Sequence, residues 1–93
     1  MNDTFLKAAN SDKWTPHPQL RGIVYKRGVC YLDFTYRGKR VRYDIEETLP
    51  QRCKRLGKAV TQGPDGKMIF PQDEVELQFT VIERLANLKR KNS

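Results

Sequence analysis

The chain has a single histidine and two cysteines, and no long apolar run anywhere. His17 with Cys30 and Cys53 cannot complete a four-ligand zinc set, so no structural metal is expected. The two thiols admit either one Cys30–Cys53 disulfide or a reduced pair. With no apolar signal segment among the first twenty residues, the reduced pair is the expectation. No stretch approaches the roughly 18 apolar residues that a membrane span needs, so a soluble chain without a membrane role is expected. Glycine-rich phosphate loops, paired metal-binding histidines and a nucleophile elbow are all missing. Asp44, Glu46 and Glu47 cluster after a strand pattern, where a solvated acidic end is the simpler account than an acid/base pair. His17 sits between Pro16 and Pro18 and reads as a loop residue rather than a general base. These absences predict a binding module, not an enzyme, and no cofactor.

Positive charge is what the chain has. Its 93 residues, enough for one small domain, carry a net +7. The excess is local: residues 21–43 hold seven basic side chains against Asp33 alone, a balance of +6. Residues 1–20 and 61–93 each sum to zero, and 44–60 add one. A field this concentrated predicts a polyanionic partner, nucleic acid before others.

The same segment alternates bulky and charged residues. "GIVYKR" (22–27), "VCYLDFTY" (29–36) and "KRVRYDIE" (39–46) suit three strands, joined by Arg-Gly at 27–28 and 37–38. Connections this short force antiparallel neighbours. The period of two puts Cys30, Leu32, Phe34 and Tyr36 on one face with Val41, Tyr43 and Ile45. Tyr31, Asp33, Thr35, Arg40 and Arg42 share the other, which is basic. The first strand is ambiguous, because Ile23, Val24 and Tyr25 are all apolar.

A sheet with one apolar face needs a cover. Residues 73–91 supply a helix pattern, with Asp73 as N-cap and Glu74 and Glu76 at the positive end of its dipole. Val75, Phe79, Ile82, Leu85 and Ala86 form its apolar side. Leu77, Val81 and Leu88 form a second strip, expected to be available to a protein partner. The expected fold is therefore α+β: a three-stranded antiparallel meander packed against a C-terminal helix. Residues 1–19 read as a flexible arm with a short helix over "DTFLKAAN", and 20–93 as one domain. Trp14 is expected to plug the edge of the core. Between sheet and helix, a short helix from Pro50 to near Gly57 is expected, then a small hairpin around "GPDG".

The stretch "RGIVYKRGVCYLDFTYRGKRVRYDI" resembles the arm-type DNA-binding domain at the N-terminus of tyrosine recombinases, the integrases of phages and integrative elements. It covers about twenty-five residues. The resemblance implies a three-stranded sheet whose outer face enters the major groove at accessory sites. It implies DNA-facing roles for Lys26, Arg27, Tyr31, Asp33, Thr35, Arg37, Lys39, Arg40 and Arg42. It also implies a cytoplasmic protein of a bacterium or a phage-infected host, acting in recombination of phage or mobile-element DNA. Three features depart from that pattern: the chain holds no recombinase catalytic domain, 26 residues separate sheet and helix, and Asp33 stands amid the basic face. The alternative is a small phage- or mobile-element-encoded inhibitor or adaptor whose basic sheet meets an acidic host protein. Binding of single-stranded RNA through Tyr31 is a third reading.

Overall fold

The computed structural model describes residues 3–91. Elements run in the order α1 (Asp3–Ala9), β1 (Thr15–Pro16), β2 (Ile23–Lys26), β3 (Val29–Tyr36), β4 (Lys39–Asp44), α2 (Leu49–Leu56), β5 (Thr61–Gln62), β6 (Met68–Ile69) and α3 (Gln72–Lys91). The α+β class expected from the sequence is borne out. The chain divides between Glu46 and Glu47 into two compact units.

The first unit is a four-stranded antiparallel sheet in the order β1-β2-β3-β4. Three strands were expected. The fourth, β1, comes from the stretch read as an arm, and pairs Thr15 with Tyr25 and Pro16 with Val24. A proline there is tolerated because β1 is an edge strand, where a missing N–H costs no ladder bond. Further ties hold this leading stretch. The Arg27 amide donates to the Ser11 carbonyl at 2.8 Å and the Gly28 amide to the Ala9 carbonyl at 2.9 Å. Phe5 of α1 meets the Tyr25 ring edge-on at 5.4 Å.

Register follows the alternation of the sequence. Leu32 pairs with Tyr43 and Phe34 with Val41, while Asp33 pairs with Arg42 and Thr35 with Arg40. Leu32, Phe34 and Tyr43 are buried, as expected. Pairing of Ile23 with Leu32 and Val24 with Tyr31 resolves the ambiguous first strand: Ile23 and Tyr25 join the Leu32 side, Val24 and Lys26 the Tyr31 side. Both hairpin turns have two central residues at positive φ, Arg27 (52°) with Gly28 (76°) and Arg37 (50°) with Gly38 (79°). That is the type I′ geometry that matches strand twist. Glycine takes it freely, whereas each arginine carries strain on the order of 1 kcal/mol.

The second unit has α2, the β5–β6 hairpin and α3. Thr48 caps α2 through a reciprocal box with Gln51, and Gly57 closes it in a left-handed conformation (φ 69°). The hairpin forms where "GPDG" turns the chain. On α3 the apolar sides are the reverse of expectation. Leu77 and Val81 are buried and Leu88 is half-buried, so they are not a free strip for a partner. Phe79, Ile82 and Ala86 are exposed instead. The deciding neighbour is Glu74, buried at 3 % exposure on the Leu77 side. Its carboxylate accepts from Arg52 Nε and from Lys58 Nζ, each at 2.7 Å. Those cations, on α2 and just beyond it, fix which side of α3 faces α2. Asp73 also accepts from Lys58, at 2.7 Å, and lies inside the first turn rather than at the cap.

Candidate nucleic-acid interface

Six of the nine expected site residues stand together on the outer side of the sheet. Lys26 is on β2, Tyr31, Asp33 and Thr35 on β3, and Arg40 and Arg42 on β4. Lys39 does not join them. It pairs with Tyr36, and its parity puts it on the Leu32 side of the sheet. Arg27 and Arg37 occupy the two turns, at opposite ends of β3, about 24 Å apart for an eight-residue strand. Arg27 is held by Asp12 through an Nε–Oδ1 contact of 2.5 Å, and the Arg37 guanidinium lies 5.2 Å from the Tyr36 ring.

Asp33 organises the face that it was expected to weaken. Arg40 donates to it twice, Nε to Oδ1 at 2.9 Å and Nη2 to Oδ2 at 2.7 Å. This bidentate fork is the strong form of an Arg–carboxylate pair. Arg42 Nε stands 4.0 Å from the same carboxylate. The hydrogen bond from Arg40 holds the Asp33 carboxyl below its ordinary range, against a smaller upward push from burial. The negative charge is thus neutralised within the sheet, and the face remains cationic.

Trp14 is the residue that sequence reasoning misplaced. It is not a core plug. Being the residue before β1, it falls on the Val24 and Lys26 side of the sheet. Its ring meets Tyr31 edge-on at 4.9 Å. The Arg42 guanidinium lies over it at 4.4 Å and the Lys26 ammonium at 5.0 Å. Both distances are within cation–π range. The signal that could have found it is the parity of "WTP" once that stretch is taken as an edge strand.

No family model, curated protein or solved structure matches the chain.

Elsewhere in the first unit, His17 Nδ1 accepts from the Gln19 and Leu20 amides at 3.0 and 2.9 Å, which fixes the β1–β2 loop. That loop and Asp33 border a shallow depression of about 420 Å³. Both cysteines are free, Cys30 half-buried and Cys53 fully buried. Burial pushes the Cys30 thiol above its ordinary value, the opposite of an activated nucleophile. Among the described residues no cluster of His, Cys, Asp or Glu is placed to hold a metal ion. No helix among them is long and apolar enough to cross a membrane.

Proposed function

We propose that the chain binds double-stranded DNA through the outer side of its sheet, in the manner that the resemblance to integrase arm domains implies, and that it serves recombination of phage or mobile-element DNA. The observation that carries this reading is the face itself: Lys26, Arg40 and Arg42 share one side of the sheet, where Asp33 is already neutralised by Arg40 and Asp44, across from Tyr31, is the second carboxylate. Strands β2, β3 and β4 span about 10 Å between their outer axes. A B-DNA major groove is roughly 12 Å wide and admits a two-stranded ribbon such as β3–β4, which carries Tyr31, Asp33, Thr35, Arg40 and Arg42. Arg37 stands at the turn where a phosphate backbone would pass, and Arg27 can join once it leaves Asp12. The Trp14 ring is met by two cations and by the edge of Tyr31. That arrangement favours a duplex over the stacking platform that single-stranded RNA requires.

A salt-titrated binding assay against duplex DNA and single-stranded RNA tests this. Four phosphate contacts imply a slope of log affinity on log salt near −3.6. Lys26→Ala should weaken binding to all duplexes alike and flatten the slope by about one unit. Asp33→Asn should raise non-specific affinity and lower discrimination between sequences, because it frees Arg40 while adding positive charge. The absence of any salt-dependent shift of a duplex at micromolar protein would end the DNA reading and leave an acidic protein surface as the partner.

A further inference from the structure

We propose that Arg42 is the side chain with which this face reads sequence, taking the O6/N7 edge of a guanine in the major groove, and that Trp14 is its positioning residue. The inference rests on the DNA-binding reading and goes beyond it by assigning one base, one reader and one support.

The basic residues of the face are not equivalent. Arg40 has spent Nε and Nη2 on Asp33, so it has one remaining edge to offer, suited to a phosphate. Its side chain is 65 % exposed. Arg27 is committed to Asp12. Lys26 is a point charge and cannot make a planar fork. Arg42 differs on each count. Its side chain is 30 % exposed. Its Nε is buried without a hydrogen-bond partner among the described residues, and that atom makes its closest approach to Asp33, at 4.0 Å. The terminal nitrogens are thus the part of the group left to act outward. Its guanidinium carbon lies over the Trp14 ring, 4.4 Å from the centroid.

Two consequences follow. A guanidinium held between an indole and a carboxylate has lost much of its rotamer freedom before any ligand arrives, so less entropy is lost when it forms hydrogen bonds. A fixed planar pair of donors matches the two acceptors of a guanine edge, the commonest specific contact in the major groove. Arg42 also stands directly across from Asp33 in the β3–β4 register, in the interior of the face rather than at a turn. Base edges are reached from there, whereas the turns meet the backbone.

The test uses the full chain and a library of duplexes with a randomised central segment. Affinities for the selected duplex, and for one with the enriched pair changed, are then measured across salt. Wild type should enrich a G·C pair and prefer the selected duplex about tenfold or more. Arg42→Lys keeps the charge, so the salt slope should stay and the preference should fall below about threefold. Trp14→Leu should lower the preference without altering the slope, and Trp14→Phe, which retains a ring, should restore most of it. Thermal midpoints verify folding, and Arg42→Lys carries the test if Trp14→Leu fails to fold. Because Trp14 is the only tryptophan, its emission should change saturably as the selected duplex is added. A G·C preference that survives Arg42→Lys overturns the assignment of the reader. Full preference in Trp14→Leu overturns the role of the indole. Salt-dependent duplex binding with no G·C preference sinks this inference and leaves the DNA reading standing, whereas no duplex binding at all sinks both.

Discussion

Glu74→Gln tests what holds the second unit together. The Glu74 side chain is 4 % exposed and lies between Arg52 Nε and Lys58 Nζ, each at 2.7 Å. The substitution conserves shape and removes the charge. Lys58, at 33 % exposure, keeps Asp73 at 2.7 Å and loses little, on the scale of an exposed pair at about 0–1 kcal/mol. Arg52 is the expensive partner, because its side chain is only 11 % exposed and would lose the buried carboxylate it donates to at 2.7 Å. Breaking such a pair costs roughly 3–5 kcal/mol. The glutamine oxygen still accepts one hydrogen bond, worth about 1 kcal/mol, so a net loss of about 2–4 kcal/mol is expected. With a urea slope of about 2 kcal/mol/M, the midpoint followed by far-ultraviolet circular dichroism should fall by about 1–2 M. The pH dependence gives an independent check. Burial pushes the Glu74 carboxyl up, but the hydrogen bonds from Lys58 and Arg52 outweigh it and hold the folded value below the ordinary 4.5. A depressed carboxylate contributes stability that is present above that ordinary value and is lost as pH falls from it through the folded value. Wild type should therefore lose stability on acidification below about pH 4.5, and the variant should lose less. An unchanged midpoint, or an identical acid limb in both proteins, would refute the reasoning.

Leu32→Ala should cost roughly 2–5 kcal/mol, since Leu32 is 3 % exposed; a wild-type urea midpoint would show that it packs against nothing. Gly28→Ala should destabilise by about 1 kcal/mol or more, because Gly28 has φ 76° and an added Cβ would lie 2.7 Å from Asn10 Oδ1; an unchanged thermal midpoint would show that the turn relaxes freely. Both thiols should stay reduced, with no effect of reductant on the thermal midpoint; a mass lower by two protons that reductant restores would contradict this.

The sheet was legible because its signal is local. Alternation in 29–36 and 39–44 determines the faces, and two Arg-Gly pairs mark the turns, so the register of Leu32 with Tyr43 follows from short-range pattern alone. The helix of 72–91 was legible as a helix but not as an oriented one. Two apolar strips compete on it, and periodicity weighs Phe79 and Ile82 as heavily as Leu77 and Val81. What separates them is a buried glutamate, and Glu74 is burial-compatible only because Arg52 and Lys58 meet it from elsewhere in the chain. That pairing spans 22 and 16 residues and leaves no periodic trace. Trp14 was misread for a related reason. Its neighbourhood carries two prolines, which argue against regular structure, yet a two-residue edge strand needs only Pro16 with its N–H side free. Once Pro16 pairs with Val24, parity puts Trp14 on the basic face.

Asp33 shows why a charge count alone does not describe a candidate binding face. As a sequence feature it subtracts one from the +6 of residues 21–43 and stands where phosphate would repel it. In the sheet it is cross-strand from Arg42 and one register step from Arg40, so both guanidinium groups find it. It takes two hydrogen bonds from the first and lies 4.0 Å from the second. The cost is some long-range attraction for a polyanion, and the return is orientation. Arginines left free on a flat strand would keep many rotamers and grip any phosphate equally. One arginine locked by a fork, and another lying on an indole with its Nε toward the carboxylate, present different donor sets at fixed places. Discrimination between base pairs requires such fixed donors, since the phosphate backbone carries no sequence. A carboxylate in the middle of a cationic sheet is therefore better matched to a face that distinguishes its ligands than to one that merely attracts them.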